Sequence, residues 1–222
     1  MTLNGLDISS ETQNISYKDI KKNNIKFVMI RAGFTDYDKN KTKNIDSKFE
    51  YNYSLAKLYK LDIGVYYTSR AVSLDEAKEE IEYFLSIIKD KEFEYPVCIQ
   101  IEDDHNTIIY YQINQKTINK KEFLDITSYM IDKIKISGYK PLVRTYYDWY
   151  IDIYNKSDKY LYWLDDGKDK EYITSNIEDN KIYLNKDEDK VEVVLINNCI
   201  LSKIKNNIKI GYKIVKSKIR RK

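Results

Sequence analysis

Apolar runs recur along this chain between residues 5 and 146, and an amphipathic segment follows nearly every one. Gly5–Ser9, Ile25–Ala32, Leu61–Tyr67, Tyr95–Glu102 and Pro141–Tyr146 read as strands. A chain that returns through a helix after each strand lays its strands parallel and its helices outside the sheet. The strands are accordingly nearly continuous in apolar residues, as sheets covered on both faces require. This rhythm constrains the fold more than any other feature of the sequence.

The intervening helices carry their own start and stop signals. Ser16 is placed to cap a short helix over Tyr17–Asn23. Ser47–Lys60 carries Phe49, Tyr53, Ala56 and Leu58 near helical spacing. Ser73-Leu74-Asp75-Glu76 has the pattern of a capping box and opens a helix to about Lys89. Asn119-Lys120-Lys121-Glu122 caps another, which Gly138 ends. The polar segment Thr35–Asn44 is expected to be a loop. After Tyr150 the rhythm changes. Tyr160–Leu164, Lys181–Leu184 and Val191–Ile196 predict short strands without long helices between them. Ile208, Ile210, Tyr212 and Ile214 alternate with Lys209, Gly211 and Lys213, which predicts one more strand with a basic outer face. The expected unit is one domain with a β-rich end. Residues 1–202 form its body, and residues 203–222 are a basic strand or tail of the same domain.

Composition narrows the chemistry. With 222 residues, 42% of them hydrophobic, the chain can build a sizeable core and is not a disordered one. Cys98 and Cys199 lie inside apolar runs and read as small core residues. His105 is the only histidine, so a His-rich metal site is excluded, and His-dependent nucleophilic catalysis must run through that residue. No run reaches the roughly 18 apolar residues of a membrane span. The N-terminus lacks the basic and apolar regions of a signal peptide, so synthesis in the cytoplasm without such a peptide is expected. The net charge is +3, but nine Lys/Arg and no acids follow from Lys203 onward, leaving about −6 on the rest. That tail reads as a strand edge guarded by lysines or as a binder of anionic polymers. No nucleic-acid motif accompanies it.

The segment Tyr95-Pro96-Val97-Cys98-Ile99-Gln100-Ile101-Glu102 is a buried strand that ends by presenting an acid. Strand ends are where barrel enzymes keep their chemistry. Gln100 and Glu102 lie two apart and share one face. A glycoside-cleaving site normally holds two carboxylates. Here a carboxylic acid stands beside an amide. Asp103-Asp104-His105 reads as a solvated acidic loop or, less ordinarily, as a set of oxygen ligands for a metal. Trp149 and Trp163 read equally as sugar-stacking platforms and as packing. The 22 tyrosines suit sugar or base faces, although a codon bias toward Lys, Asn, Ile and Tyr explains them as simply. Asp165-Asp166-Gly167 reads as a turn or as a source of a replacement carboxylate.

Six blocks, in order and spacing, resemble family 25 glycoside hydrolases, the lysozymes (N-acetylmuramidases) of bacteria, fungi and phages. They are Gly5-Leu6-Asp7-Ile8-Ser9, the strand Phe27–Phe34, Asp46-Ser47-Lys48-Phe49-Glu50-Tyr51-Asn52, Ile63-Gly64-Val65-Tyr66-Tyr67, the helix Ala77–Phe84, and Tyr95-Pro96-Val97. The resemblance implies a TIM-like (β/α)5β3 barrel that hydrolyses the β-1,4 bond between N-acetylmuramic acid and N-acetylglucosamine. It puts Glu102 at the general acid and Asp7 at the strand-one aspartate beside the sugar. Arg31 falls on an arginine that holds carboxylates in place. Tyr66, Tyr67, Trp149 and Trp163 join Arg31 as expected substrate-binding residues. No metal or cofactor is implied. The implied partner is the glycan strand of peptidoglycan, reached at the cell wall after release by a bacterial or phage lysis system.

The chain also departs from the family pattern. Gln100 replaces the aspartate of D-x-E. In the family that carboxylate assists attack by the substrate's own N-acetyl group or stabilises the resulting cation. An amide can orient the acetamido group but cannot offset positive charge. Losing such an electrostatic contribution typically costs about 2.7–4 kcal/mol, or ~100- to 1000-fold in rate. Thr68, Arg70 and Arg144 stand where aromatic groove residues are common. Leu195 aligns with another active-site aspartate, with Leu184-Asn185-Lys186 and Leu195-Ile196-Asn197 at the later signatures. The departures cluster in the site and spare the scaffold. Three readings follow: a working but altered muramidase, a glycan-binding or structural module that has lost catalysis, or a hydrolase directed at a different carbohydrate.

Overall fold

The structure, a computed structural model, describes residues 2–12, 16–23, 25–36, 40–101, 111–113, 116–157, 159–165, 170–174 and 192–196. The predicted alternation is present in them. The elements are β1 (Thr2–Ile8), α1 (Tyr17–Lys22), β2 (Ile25–Thr35), β3 (Lys43–Ile45), α2 (Phe49–Leu58), β4 (Asp62–Ser69), α3 (Leu74–Ile87) and β5 (Val97–Ile101). They continue as β6 (Tyr111–Ile113), β7 (Lys116–Ile118), α4 (Lys120–Ile136), β8 (Pro141–Tyr146), α5 (Tyr147–Asp152), β9 (Tyr162–Asp165), β10 (Lys170–Thr174) and β11 (Glu192–Ile196). The expected strand at Lys181–Leu184, the one at Ile208–Ile214, and Cys199 lie outside the described residues.

Strands β1, β2, β4, β5, β8 and β9 run parallel in that order. β10 is antiparallel to both β9 and β11, and β11 is parallel to β1. β1 therefore has a partner on each side, β2 and β11, and the sheet curls back onto itself. The result is a mixed α/β fold built on a curled, mainly parallel sheet.

Alternate residues of a strand point to opposite faces, and the sheet uses both. On one face Leu6, Ile8, Val28, Ile30, Val65, Ile99 and Val143 pack with Phe49, Phe84, Phe123 and Met130 of the helices. On the other, Phe27, Met29, Tyr66, Cys98, Leu142 and Trp163 pack with Tyr95 and, among the described residues, with no helix residue. That second cluster is the inside of the curl. Cys98 is buried there as a small core residue. The Phe27 and Tyr95 rings stack at 4.1 Å and 8°. Phe27 lies so close to β1 that a Cβ on Gly5 would stand 2.0 Å from its ring. Glycine is needed here for close approach, not for an unusual φ.

The caps follow the sequence, with one exception. Ser16 accepts from the Asp19 N–H. Asn119 and Glu122 exchange bonds of 3.0 and 2.9 Å as a reciprocal capping box, and Gly138 has φ of +87° just past the end of α4. At α3, Ser73 accepts from the Glu76 N–H at 3.3 Å, but the Glu76 carboxylate does not return to Ser73. It accepts from the Val72 N–H at 2.7 Å and from Lys41 at 2.6 Å. The end of the segment expected as a loop overlaps β3, which pairs antiparallel with the end of β2. β2 runs past Ala32, where the sequence predicts its end, and its register to β4 shifts between Arg31 and Gly33, re-aiming the strand.

Gly5→Ala tests the inside packing. Its new methyl meets a ring already held by stacking, so the substitution should cost about 1–3 kcal/mol in urea unfolding.

Candidate active site

The carboxyl-terminal ends of the parallel strands bring charged groups into the curl. Thr68 of β4, Gln100 of β5, Arg144 of β8 and Trp163 of β9 stand in register across four adjacent strands. Asp7 stands on β1, four strands from β8 in either direction around the sheet. Arg144 nevertheless reaches it. Its Nη1 donates to Asp7 Oδ2 at 3.0 Å, and the two side chains are only 12% and 17% exposed.

Aromatic rings form the floor beneath this pair. The guanidinium carbon of Arg144 lies 4.1 Å from the Trp163 ring centre and 5.5 Å from that of Tyr66. The two rings meet edge to face at 5.5 Å and 87°. The Tyr66 phenol lies beside the Asp7 carboxylate. Burial, and then the Asp7 charge, push the Tyr66 phenol well above its ordinary value, against the pull of Arg144 and Arg31. Tyr66 is therefore a neutral donor at working pH.

A second cluster braces the rim. The Asp46 side chain, fully buried, accepts from the Ser10 N–H and hydroxyl at 3.0 Å each. It also accepts from Arg31 Nε at 2.9 Å and from the Lys48 N–H at 3.0 Å. Arg31 Nη2 donates to Glu11 at 2.7 Å, and the guanidinium lies 4.8 Å from the centre of the Phe34 ring. Arg31 thus holds two carboxylates, Asp46 through Nε and Glu11 through Nη2, and fastens the turn after β1 to β2.

Glu80 of α3 is buried outside the curl, where it accepts from the Ser69 hydroxyl and from the Arg70 N–H at 3.2 Å. Burial raises its carboxyl above the ordinary value, and hydrogen bonds from Ser69 and Thr35 offset this in part.

Among the residues expected at the site, Asp7, Gln100, Tyr66 and Trp163 come together inside the curl, and Arg31 stands at its rim. Two of the expected residues lie on the other side of the sheet. Tyr67 has the opposite strand phase from Tyr66 and is fully buried on the helix side. There its ring stacks on Phe84 at 5.4 Å and its hydroxyl bonds Thr35 at 2.8 Å. Trp149 is 2% exposed in the same outer core, edge-on to Phe123 at 5.3 Å. Neither presents a face to a sugar. Tyr66 and Trp163 are covered as well, at 4% and 0% exposure, and act as a floor under Arg144. Glu102, Asp103, Asp104, His105 and Asp166 lie outside the described residues. Asp165 ends β9 in register with Tyr146, and Leu195 of β11 is in register with Gly5. Among the described residues, no group of three or more His, Cys, Asp and Glu is arranged to hold a metal ion. No helix among them is long and apolar enough to cross a membrane.

What the sequence did not reveal is the Asp7–Arg144 pair, whose members are 137 residues apart. Its one local signal is a charge in phase with Leu142 on an apolar strand.

A curled parallel sheet with polar groups gathered at its carboxyl-terminal ends is the framework of a barrel enzyme. The model for glycosyl hydrolases family 25 matches residues 6–183, and the chain belongs to that family. Comparison with curated proteins gives no match. The chain is similar to the spore cortex lytic enzyme SleM of Clostridium perfringens, with a TM-score of 0.58 and 15% identity, over 72% of this chain and 52% of that one. It is also similar to a family 25 glycosyl hydrolase from Bacillus anthracis (TM-score 0.56, 21% identity, 72% and 68% covered). A lysozyme from Streptomyces coelicolor shares the fold too (TM-score 0.56, 17% identity, 74% of each chain covered). The chain thus spans about half the length of SleM.

Two predictions follow from the burial. Trp149→Ala should cost about 3–5 kcal/mol in stability, as measured by chemical denaturation. Glu80 binds its proton more tightly folded than unfolded. Unfolding free energy therefore falls as pH rises from the unfolded value of about 4.3 through the raised folded one. Glu80→Gln should remove that slope from urea midpoints measured across the same range.

Proposed function

We propose that this protein is a peptidoglycan hydrolase of the N-acetylmuramidase type that cleaves the β-1,4 bond between N-acetylmuramic acid and N-acetylglucosamine. Its fold is the (β/α)5β3 barrel, with residues 1–202 as the body and the basic residues 203–222 as part of the same domain. Family membership supports the reaction class. The observation that carries the site is the gathering of Asp7, Gln100 and Arg144 beside the end of β5, the residue after which is Glu102.

In this mechanism Glu102 is protonated and gives its proton to the leaving glycosidic oxygen, which requires a carboxyl with a raised pKa. The acetamido oxygen of the substrate stabilises the sugar carbon as the bond breaks. Gln100 orients that acetamido group through hydrogen bonds, and Asp7 assists from the facing strand. Water then completes hydrolysis with Glu102 as base. Proton transfer and water suffice, so no cofactor takes part. The partner is the glycan strand of the cell wall, not nucleic acid.

A second reading has its own support. Gln100 supplies no negative charge, and Asp7 is engaged by Arg144. A site so arranged suits a module that binds wall glycan and turns it over slowly or not at all.

Release of reducing ends from purified peptidoglycan separates these readings when wild type, Glu102→Gln and Gln100→Asp are compared. Activity in wild type that Glu102→Gln abolishes is the expected result. Silence in wild type with activity in Gln100→Asp would favour the binding module. Silence in all three would sink the hydrolase reading for this substrate.

A further inference from the structure

The hydrolase reading assigns Asp7 to the substrate, yet the structure gives Asp7 to Arg144. We propose that Arg144 restrains the site: it holds Asp7 as its own counter-ion and fixes a cation where positive charge would develop on the sugar. This inference rests on the reading above and names the residue that governs its turnover.

The geometry is specific. Arg144 lies in register between Gln100 and Trp163, so its side chain starts beside the amide that replaces a carboxylate. The planar guanidinium rests on Trp163 at 4.1 Å and donates to Asp7 at 3.0 Å. The Tyr66 ring centre lies 5.5 Å from the guanidinium, with its phenol beside the same carboxylate. The pair thus rests on the Trp163 ring with Tyr66 beside it, with little solvent to screen it. Three effects act in the same direction. The negative charge of Asp7 is already neutralised. A fixed cation opposes a second positive charge in a site of low dielectric. The faces of Trp163 and Tyr66, which would serve a sugar, serve Arg144 instead. Arg144 is a positioning residue, not a catalytic one, because it acts through Asp7.

The test uses the whole chain in a background where the missing carboxylate is supplied: Gln100→Asp alone, with Arg144→Gln, and with Arg144→Lys. Arg144→Met, which packs on Trp163 without charge, replaces the glutamine variant should that fail to fold. Hydrolysis of purified peptidoglycan is followed as kcat and KM, and binding by co-sedimentation with the insoluble wall. The expected result is a kcat about 10- to 100-fold above the Gln100→Asp parent when the charge is removed, with KM little changed. The lysine variant, which keeps the charge, should stay near the parent. Retained binding with no gain in kcat overturns the restraint and leaves the hydrolase reading standing. A lysine variant that rises as far as the glutamine variant overturns it too. Loss of binding in the glutamine variant alone would make Arg144 a substrate contact and likewise overturn the proposal. Neither binding nor turnover in any of the proteins overturns both readings.

Discussion

One ion pair joins opposite walls of the curled sheet. Asp7 and Arg144 stand on strands as far apart around the ring as any two can be, and the sheet must curl for them to meet. Neither charge is well solvated, and an isolated charge in such a place costs several kcal/mol. The cost is offset here by mutual attraction and by the Trp163 ring under the guanidinium. Replacing such a pair with apolar residues is often neutral for stability, whereas removing one member is not. The pair is therefore weak grounds for stability and strong grounds for a fixed arrangement of the interior.

The rest of the architecture delivers those two residues. Phe27, Met29, Tyr95, Cys98 and Leu142 fill the inside of the curl, so polar side chains are confined to the strand ends. Gly5 admits the Phe27 ring and brings β1 close enough for its aspartate to face inward. Arg31 and Asp46 fix the turn that follows β1. Each of these contacts is ordinary. Together they leave Asp7 little freedom, which is what a site needs if it is to hold a substrate in one geometry.

Much of this is legible in the sequence alone. Strand and helix periods located five parallel strands because each run is long, apolar and bounded by recognisable caps. Ser16, Asn119 and Gly138 acted as their residue types dictate. Ser73 shows the limit of that reasoning, because its Glu76 found a better donor in Val72, which a four-residue pattern cannot anticipate. Tyr66 and Tyr67 show another. They are identical in type and adjacent, so only strand phase separates the interior from the helix layer, and one step changes the role. Trp149 was ambiguous for the same reason: a large ring near a strand end serves a core as well as a groove. Arg144 was visible as a departure, but its partner was not, since nothing local points from residue 144 to residue 7.

The closure of the sheet also sets an order of events. Thr2 of β1 pairs with Glu192 of β11, although β1 is made long before that partner. At the ~5–20 residues per second of protein synthesis the wait is on the order of ten to forty seconds. During it β1 can pair only with β2, and its other edge, like the mouth of the curl, remains uncovered. The nascent chain thus passes through a stage with an unpaired parallel edge, the kind of surface that attracts other chains and that chaperones shield.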